Sequence, residues 1–332
     1  MNNQTLNISA SYSTLCASEL LHKVVPLYPI RNPQTCEFWC RGINDSYKVT
    51  SDEGSFLLRV YRKEWRGLSE IEFEVGALQH LHSKGAKVAY PLKSIKGSYI
   101  TSIKAPEGMR HVLITKFADG NALKYKDDND AILYGRHAAE IHELSSAFTT
   151  QHPRYELNLT HLVDEPLEYI RPFFTNRKKD WAFIKRYSAF LSEQVNSAEL
   201  SELDYGFCHG DFHCGNAHKH NDEVTFFDFD ACGFGLRVYD LAVFKWAARL
   251  DEKEQERWEL FLEGYRQVRE ISNNDLRLVD TFVAIREIWL MGLLLGNSDD
   301  FSKEWMYNTY LDKSITFLRK TAVDCHFESD DE

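Results

Sequence analysis

The sequence has no long hydrophobic run, no secretory leader and no cysteine framework, and each absence excludes a class of protein. Its most apolar late stretch, Ile288 to Leu295, is far shorter than the roughly 20 residues a membrane-spanning helix needs, so no membrane partner is expected. Met1 to Ala10 is polar and lacks the basic segment and apolar run of a signal peptide. The seven cysteines follow no regular spacing, and an odd count in a chain of this size suits a reducing, cytoplasmic compartment. Basic charge is scarce: 39 Lys and Arg stand against 50 Asp and Glu, a formal charge of -11. That balance disfavours a nucleic-acid partner and mildly favours cationic substrates. Internal repeats and low-complexity tracts are also missing.

What is present suits a folded protein. Hydrophobic residues make up 43% of 332, enough for two modest lobes with separate cores. The first third is β-rich. Phe38 to Arg41 and Tyr47 to Thr50 flank a turn, Gly42-Ile43-Asn44-Asp45-Ser46, and Phe56 to Tyr61 follows a second turn at Asp52-Glu53-Gly54. Ser69 is placed to cap a helix through Ser83, with Ile71, Val75, Leu78 and His82 at helical spacing and Gly85 as its stop. Tyr99 to Ser102 and His111 to Phe117 read as two more strands around an Ala105-to-Gly108 loop. From Asp130 the pattern becomes amphipathic helices: Ala131 to Leu144, Trp181 to Val195, Leu236 to Leu250, Glu252 to Glu270, Leu276 to Leu295 and Lys303 to Lys320. The expectation is an α+β fold with an N-lobe over 1–117, a helical C-lobe over 118–327 and an acidic tail over 328–332.

One segment carries chemistry: Phe207-Cys208-His209-Gly210-Asp211-Phe212-His213-Cys214-Gly215-Asn216, followed after a polar hairpin by Phe226-Phe227-Asp228-Phe229-Asp230. Phosphoryl transfer needs a carboxylate to orient and accept the proton of the attacking hydroxyl. It also needs hard oxygen ligands for magnesium, such as a carboxylate and an amide. Asp211, Asn216 and Asp228 form that set. Asp211 and Asn216 stand five apart, so one tight loop can aim both side chains into a single site. That spacing equals the catalytic loop of protein kinases. Asp228 closes an apolar strand.

The loop His209-Gly210-Asp211-Phe212-His213-Cys214-Gly215-Asn216 resembles the HGDxHxxN loop of the aminoglycoside phosphotransferase and choline kinase superfamily. Phe227-Asp228-Phe229-Asp230 is similar to that family's metal-binding segment, and Tyr239-Asp240-Leu241-Ala242 to the helix start that follows it. Within the superfamily, Leu58-Arg59-Val60-Tyr61-Arg62 and Arg286 to Leu293 look most like the homoserine kinase type II and stress-response Ser/Thr kinase group. The resemblance implies a protein-kinase-like two-lobe fold, ATP as co-substrate and Mg2+ as cofactor. It further implies transfer of the γ-phosphate to a hydroxyl of a small molecule: an amino alcohol, a homoserine-like compound, a hydroxy amino acid or an aminoglycoside. A Ser/Thr protein kinase with a protein substrate and a nucleotide-binding pseudokinase are the alternatives it leaves open.

By position, Asp211 would be the catalytic base, Asn216 and Asp228 the metal ligands, and His209 and Asp240 structural supports. Gly42, Asn44 and Ser46 would lie in the phosphate-covering loop, although this turn lacks the three glycines of the protein-kinase loop. Main-chain groups near Lys116 and Ala118 would meet adenine. The family's phosphate-binding lysine is replaced by Arg59, a larger, forked cation in an apolar run where a charge requires a partner. Glu74 is the expected partner, since it lies beside the apolar stripe of its helix and Glu72 does not. Asp230 fits either a second metal contact or a structural acceptor. Cys208, His209, His213 and Cys214 match no common structural zinc spacing. Glu287, Asp299 and Asp300 read as surface carboxylates.

Overall fold

Strand-like alternation in the first third folds as a five-stranded antiparallel sheet in the computed structural model, which describes residues 8–123, 128–300 and 309–328. The chain divides into two units, the first holding Met1–Gly120, Phe148–Arg154 and Thr225–Asp230, and the second Asn121–Ala147, Tyr155–Val224 and Ala231–Glu332. Of the expected acidic tail over 328–332, residues 329–332 lie outside the described residues, as do residues 303–308 of the last expected helix.

In the first unit, helix α1 (Ala17–Lys23) precedes strands β1 (Pro33–Arg41), β2 (Asp45–Ser51) and β3 (Gly54–Val60). Helix α2 (Leu68–Ser83), β4 (Ile100–Ala105) and β5 (Gly108–Lys116) follow, and the sheet order is β1-β2-β3-β5-β4. Side chains alternate across a strand, so β3 serves two faces. Phe56, Leu58 and Val60 point one way, into a core with Leu20, Val24 and Val25 near α1 and Val112 and Ile114 of β5. Arg59 points the other way, the side on which Tyr61 packs with Ile71 and Val75 of α2.

Three local readings change. The turn after β1 is tighter than expected: β2 begins at Asp45, leaving only 42–44 between the strands. Asp45 is drawn into the fold because Arg41 and the fully buried Arg110 both pair with it, at 3.0 and 3.4 Å. Gly67, not Ser69, caps α2. The Glu70 carboxylate folds back onto the Gly67 N–H at 2.9 Å, whereas the Ser69 hydroxyl donates to the Pro153 carbonyl at 3.2 Å. Finally, Ala105 and Gly108 are paired across a hairpin rather than lying in an open loop.

The second unit opens on a short strand, β6 (Asn121–Ala122), and helix α3 (Asp128–Leu144). Then come β7 (Glu156–Leu157), α4 (Glu165–Ile170), α5 (Lys178–Ser197) and β8 (Tyr205–Cys208). Strands β9 (Ala217–His220), β10 (Glu223–Phe226) and β11 (Gly233–Leu236) follow. The unit ends with α6 (Val238–Leu250), α7 (Glu254–Arg266), α8 (Asn273–Gly296) and α9 (Leu311–Asp324). Its core is built from the apolar stripes of α5, α6, α8 and α9, including Tyr187, Leu191, Val243, Phe282, Ile285, Ile288 and Leu318. Two features position the chemistry. Strand β8 pairs antiparallel with β11, Cys208 opposite Gly233, and so delivers the chain into His209. The long helix α8 runs through the core with its N-terminus capped by Ser272, whose Oγ accepts the Asp275 N–H at 2.9 Å.

Candidate active site

Leaving β8, the chain must turn sharply, and Gly210 makes the turn at φ +79. No side chain fits there: a Cβ would run into the Ala231 carbonyl oxygen. The turn exposes two backbone N–H groups, and both are taken by one carboxylate. Asp240, buried in the first turn of α6, accepts from the N–H of His209 and of Gly210, each at 2.7 Å. His142 Nε2 reaches the same carboxylate at 2.9 Å, and its Nδ1 lies 2.7 Å from the Tyr265 hydroxyl. Burial pushes the His142 pKa down despite the pull of Asp240, so the ring is neutral, donating through Nε2 and accepting at Nδ1. Asp240 therefore holds the backbone of this turn through both of its oxygens. An Asp240→Ala variant should leave two buried N–H donors unmet. We expect a loss of about 2–6 kcal/mol in chemical denaturation, taking about 1–3 kcal/mol for each unsatisfied donor. A variant as stable as the wild type would rule out this anchoring.

Asp211 follows directly. One carboxylate oxygen, Oδ1, is ion-paired with Arg286 of α8. The other, Oδ2, accepts from the Asn216 side-chain amide at 2.8 Å and lies 3.3 Å from His213 Nε2. A short 3-10 turn over Cys214–Asn216, capped by His213, brings Asn216 back to Asp211 across five residues. Burial alone would raise the Asp211 pKa. The charge of Arg286 first, and then the hydrogen bond from His213, more than reverses this and holds the group ionised well below the usual carboxylate range. His213 shows the opposite shift: burial lowers its pKa, but Asp211 lifts it to about 10. A doubly protonated ring conflicts with the Gly215 N–H, which donates to Nδ1 at 3.0 Å. The Gly215 N–H on Nδ1 fixes a neutral ring with its proton on Nε2, facing Asp211.

The first unit holds the remaining residues. Asp228 sits just beyond β10 at φ +63, a left-handed conformation that Asp and Asn tolerate better than most residues. Arg59 Nη2 meets it at 2.8 Å, while Nη1 meets Glu74 at 3.1 Å. Glu74 also accepts from the Tyr61 hydroxyl at 2.8 Å, and burial raises its pKa against the pull of Arg59. The structure thus joins Arg59, Glu74 and Asp228 through one forked guanidinium. Glu72 is elsewhere, half-exposed and paired with His152 at 2.9 Å.

Asp230 is a structural acceptor in this arrangement. Its oxygens take the Trp65 indole N–H at 2.7 Å, Arg66 Nε at 3.1 Å and the Asn44 amide at 3.2 Å. Asn44 also accepts the Arg62 N–H at 3.0 Å, so its side chain ties the 42–44 turn to the Asp228–Asp230 segment. Ser46 is largely buried on β2 opposite Arg59. Gly42 has open space around its Cα, and its N–H donates to the Asn44 carbonyl at 3.1 Å. Lys116, expected near adenine, lies at the end of β5. Its main-chain N–H is already spent on the Tyr90 carbonyl and its Nζ on the Glu53 carbonyl, each at 2.9 Å. Ala118 is buried beside it.

Sequence reading missed the role of Arg286, although an arginine within the apolar run of α8 is itself the signal that an internal anion lies opposite. It also misplaced Glu287, which is buried and accepts the Trp246 indole N–H at 2.8 Å. His142, Trp65 and Arg66 carried no local signal. Among the described residues, no cluster of three or more His, Cys, Asp or Glu is placed to hold a metal, and no helix is long and apolar enough to cross a membrane.

Solved structures define the class first. The amicoumacin kinase hAmiN, in complex with AMP-PNP, Ca2+ and Ami, superposes with a TM-score of 0.76 at 20% identity, over 92% of both chains. A microcompartment-associated aminopropanol kinase does so at 0.73 and 21%, over 93% of this chain and 96% of its own. The fold is that of the small two-lobed kinases, α+β with a β-rich N-terminal part and a helical C-terminal part. In sequence, an uncharacterized Deinococcus radiodurans protein is 35% identical over 314 residues, 93% of this chain and 91% of its own. Residues 41–271 match the phosphotransferase enzyme family, and the chain belongs to that family. It is a kinase, as the loop around Asp211 implied.

Proposed function

We propose that the protein transfers the γ-phosphate of ATP, with a divalent metal, to the hydroxyl of a small amine-bearing alcohol. The observation that carries this reading is the Asp211 carboxylate: ionised, held at both oxygens, and set in a loop whose backbone is tied to Asp240. Such a group is a fixed acceptor for a hydroxyl proton. Asp211 is the base that orients the alcohol and takes its proton as the bond to phosphorus forms. His209 and Asp240 keep the loop in place.

The donor chemistry fits a hard cation. The Asn216 amide nitrogen is committed to Asp211, which leaves its carbonyl oxygen as the ligand atom, and Asp228 retains an oxygen beyond the one that Arg59 holds. Asn216 and Asp228 are the ligands we assign, with magnesium the expected ion. Bound there, the metal supplies charge neutralisation for the phosphate oxygens. Arg59, whose Nη1 meets Glu74 and Nη2 meets Asp228, is assigned to the phosphates as the positive charge in the lysine position. The Gly42-to-Ser46 segment is assigned to cover them.

An amine-bearing acceptor is supported by the formal charge of -11 and by solved neighbours that are amicoumacin and aminopropanol kinases. A nucleotide-consumption assay over aminopropanol, homoserine, choline and an aminoglycoside tests the reading. Turnover of at least one, lost in Asp211→Asn, is the expected result. Phosphate transfer only to protein substrates, or no transfer to any acceptor, would overturn it.

A further inference from the structure

We infer that Arg286 is the positioning residue of the Asp211 carboxylate, fixing the plane in which the base meets the acceptor hydroxyl. This rests on the reading of Asp211 as the base. Arg286 is only 3% exposed, and a guanidinium so buried persists only where its charge is met. The counter-charge is the base itself: Nη2 pairs with Asp211 Oδ1, and Nη1 donates to the carbonyl of the preceding residue, Gly210, at 3.3 Å, while the buried Nε has no hydrogen-bond partner among the described residues. One rigid fork therefore grips both the side chain and the backbone of the catalytic turn.

The fork is fixed in its turn. The guanidinium carbon lies 5.1 Å from the ring of Trp246 and 4.7 Å from that of Trp289, which restricts its orientation. Each ring is tethered by its indole N–H, Trp246 to Glu287 at 2.8 Å and Trp289 to His161 at 3.3 Å. Trp246 comes from α6, the helix that also supplies Asp240, so two helices fix the loop by different routes. Asp240 holds the N–H groups of His209 and Gly210. Arg286 holds the Gly210 carbonyl and one Asp211 oxygen, and Asn216 holds the other. A carboxylate held at both oxygens cannot swing, and reaction rates depend on orientation at the ångström scale.

A lysine offers one point charge and no plane, so it can keep the charge without keeping the geometry. The test compares Arg286→Lys, Arg286→Ala and Asp211→Asn in the full chain, with aminopropanol as acceptor. Water, read as slow ATP hydrolysis, replaces it if no alcohol in the panel turns over. We expect Arg286→Lys to lower kcat by about 10- to 100-fold, the scale of a misplaced reacting group, with the AMP-PNP dissociation constant unchanged. Guanidinium chloride should restore part of the Arg286→Ala rate. In an Asp211→Asn background, Arg286→Lys should cost no further rate, because there is no base left to orient. A wild-type kcat in Arg286→Lys, or losses that simply add to those of Asp211→Asn, would overturn the inference. If neither Arg286 variant folds, the residue serves the fold and the inference also fails. Wild-type turnover by Asp211→Asn alone would instead remove the base assignment beneath it.

Discussion

Asp211→Asn is expected to lower turnover by about 100- to 10,000-fold, the range supplied by a positioned general base. The amide is nearly isosteric and can still accept from the Asn216 side chain, so the loop keeps its shape. It cannot take a proton, and it leaves the buried charge of Arg286 without its counter-ion. Stability should therefore fall by about 1–3 kcal/mol, the penalty for one unmet buried partner. Rate and stability are read separately, kcat from steady-state kinetics and unfolding from urea titration. The stability loss is too small to unfold an average domain, so a collapse in rate with a retained unfolding transition would identify chemistry as the step affected. A variant within tenfold of wild type would remove Asp211 from the reaction.

Asp228→Asn should abolish metal-dependent turnover, with a fall of about 100-fold or more, since a metal contributes several kcal/mol to transition-state charge stabilisation and each 1.36 kcal/mol is a factor of ten. The substitution suits its position. Asparagine tolerates the left-handed backbone that Asp228 adopts, and Arg59 keeps Glu74 as a buried partner, so the first unit should fold normally. Alanine would add backbone strain and confuse the outcome. Turnover measured across a magnesium titration separates the possibilities. A raised metal requirement or a dead enzyme fits a ligand, whereas wild-type rates at low magnesium would show that Asp228 serves Arg59 alone.

The features legible in the sequence share one property: the residues that cooperate are close along the chain or tied by a simple period. Asp211 and Asn216 are five apart, and the turn between them needed only local geometry. Helix phase selected Glu74 over Glu72, and the Arg59–Glu74 contact follows that phase. Contacts across long sequence separations were not legible. Nothing near residue 142 announces a bond to Asp240, and nothing near 65 announces one to Asp230. Backbone accounting was equally hidden. The Lys116 N–H is spent on the Tyr90 carbonyl, and Ser69 looked like a cap until Glu70 supplied one to Gly67. Composition mildly favoured a cationic substrate and named none.

Strand β3 works on both of its sides, one lining a hydrophobic interior and the other presenting Arg59. Its alternation makes reading frame matter as much as residue identity. Deleting a single position between Gly54 and Leu58 would rotate every following side chain by half a turn, sending the guanidinium into the oily face and Val60 toward Glu74. Substitutions along this stretch can be absorbed one at a time, but a change in its length forfeits the interior and the Arg59–Glu74 pair together.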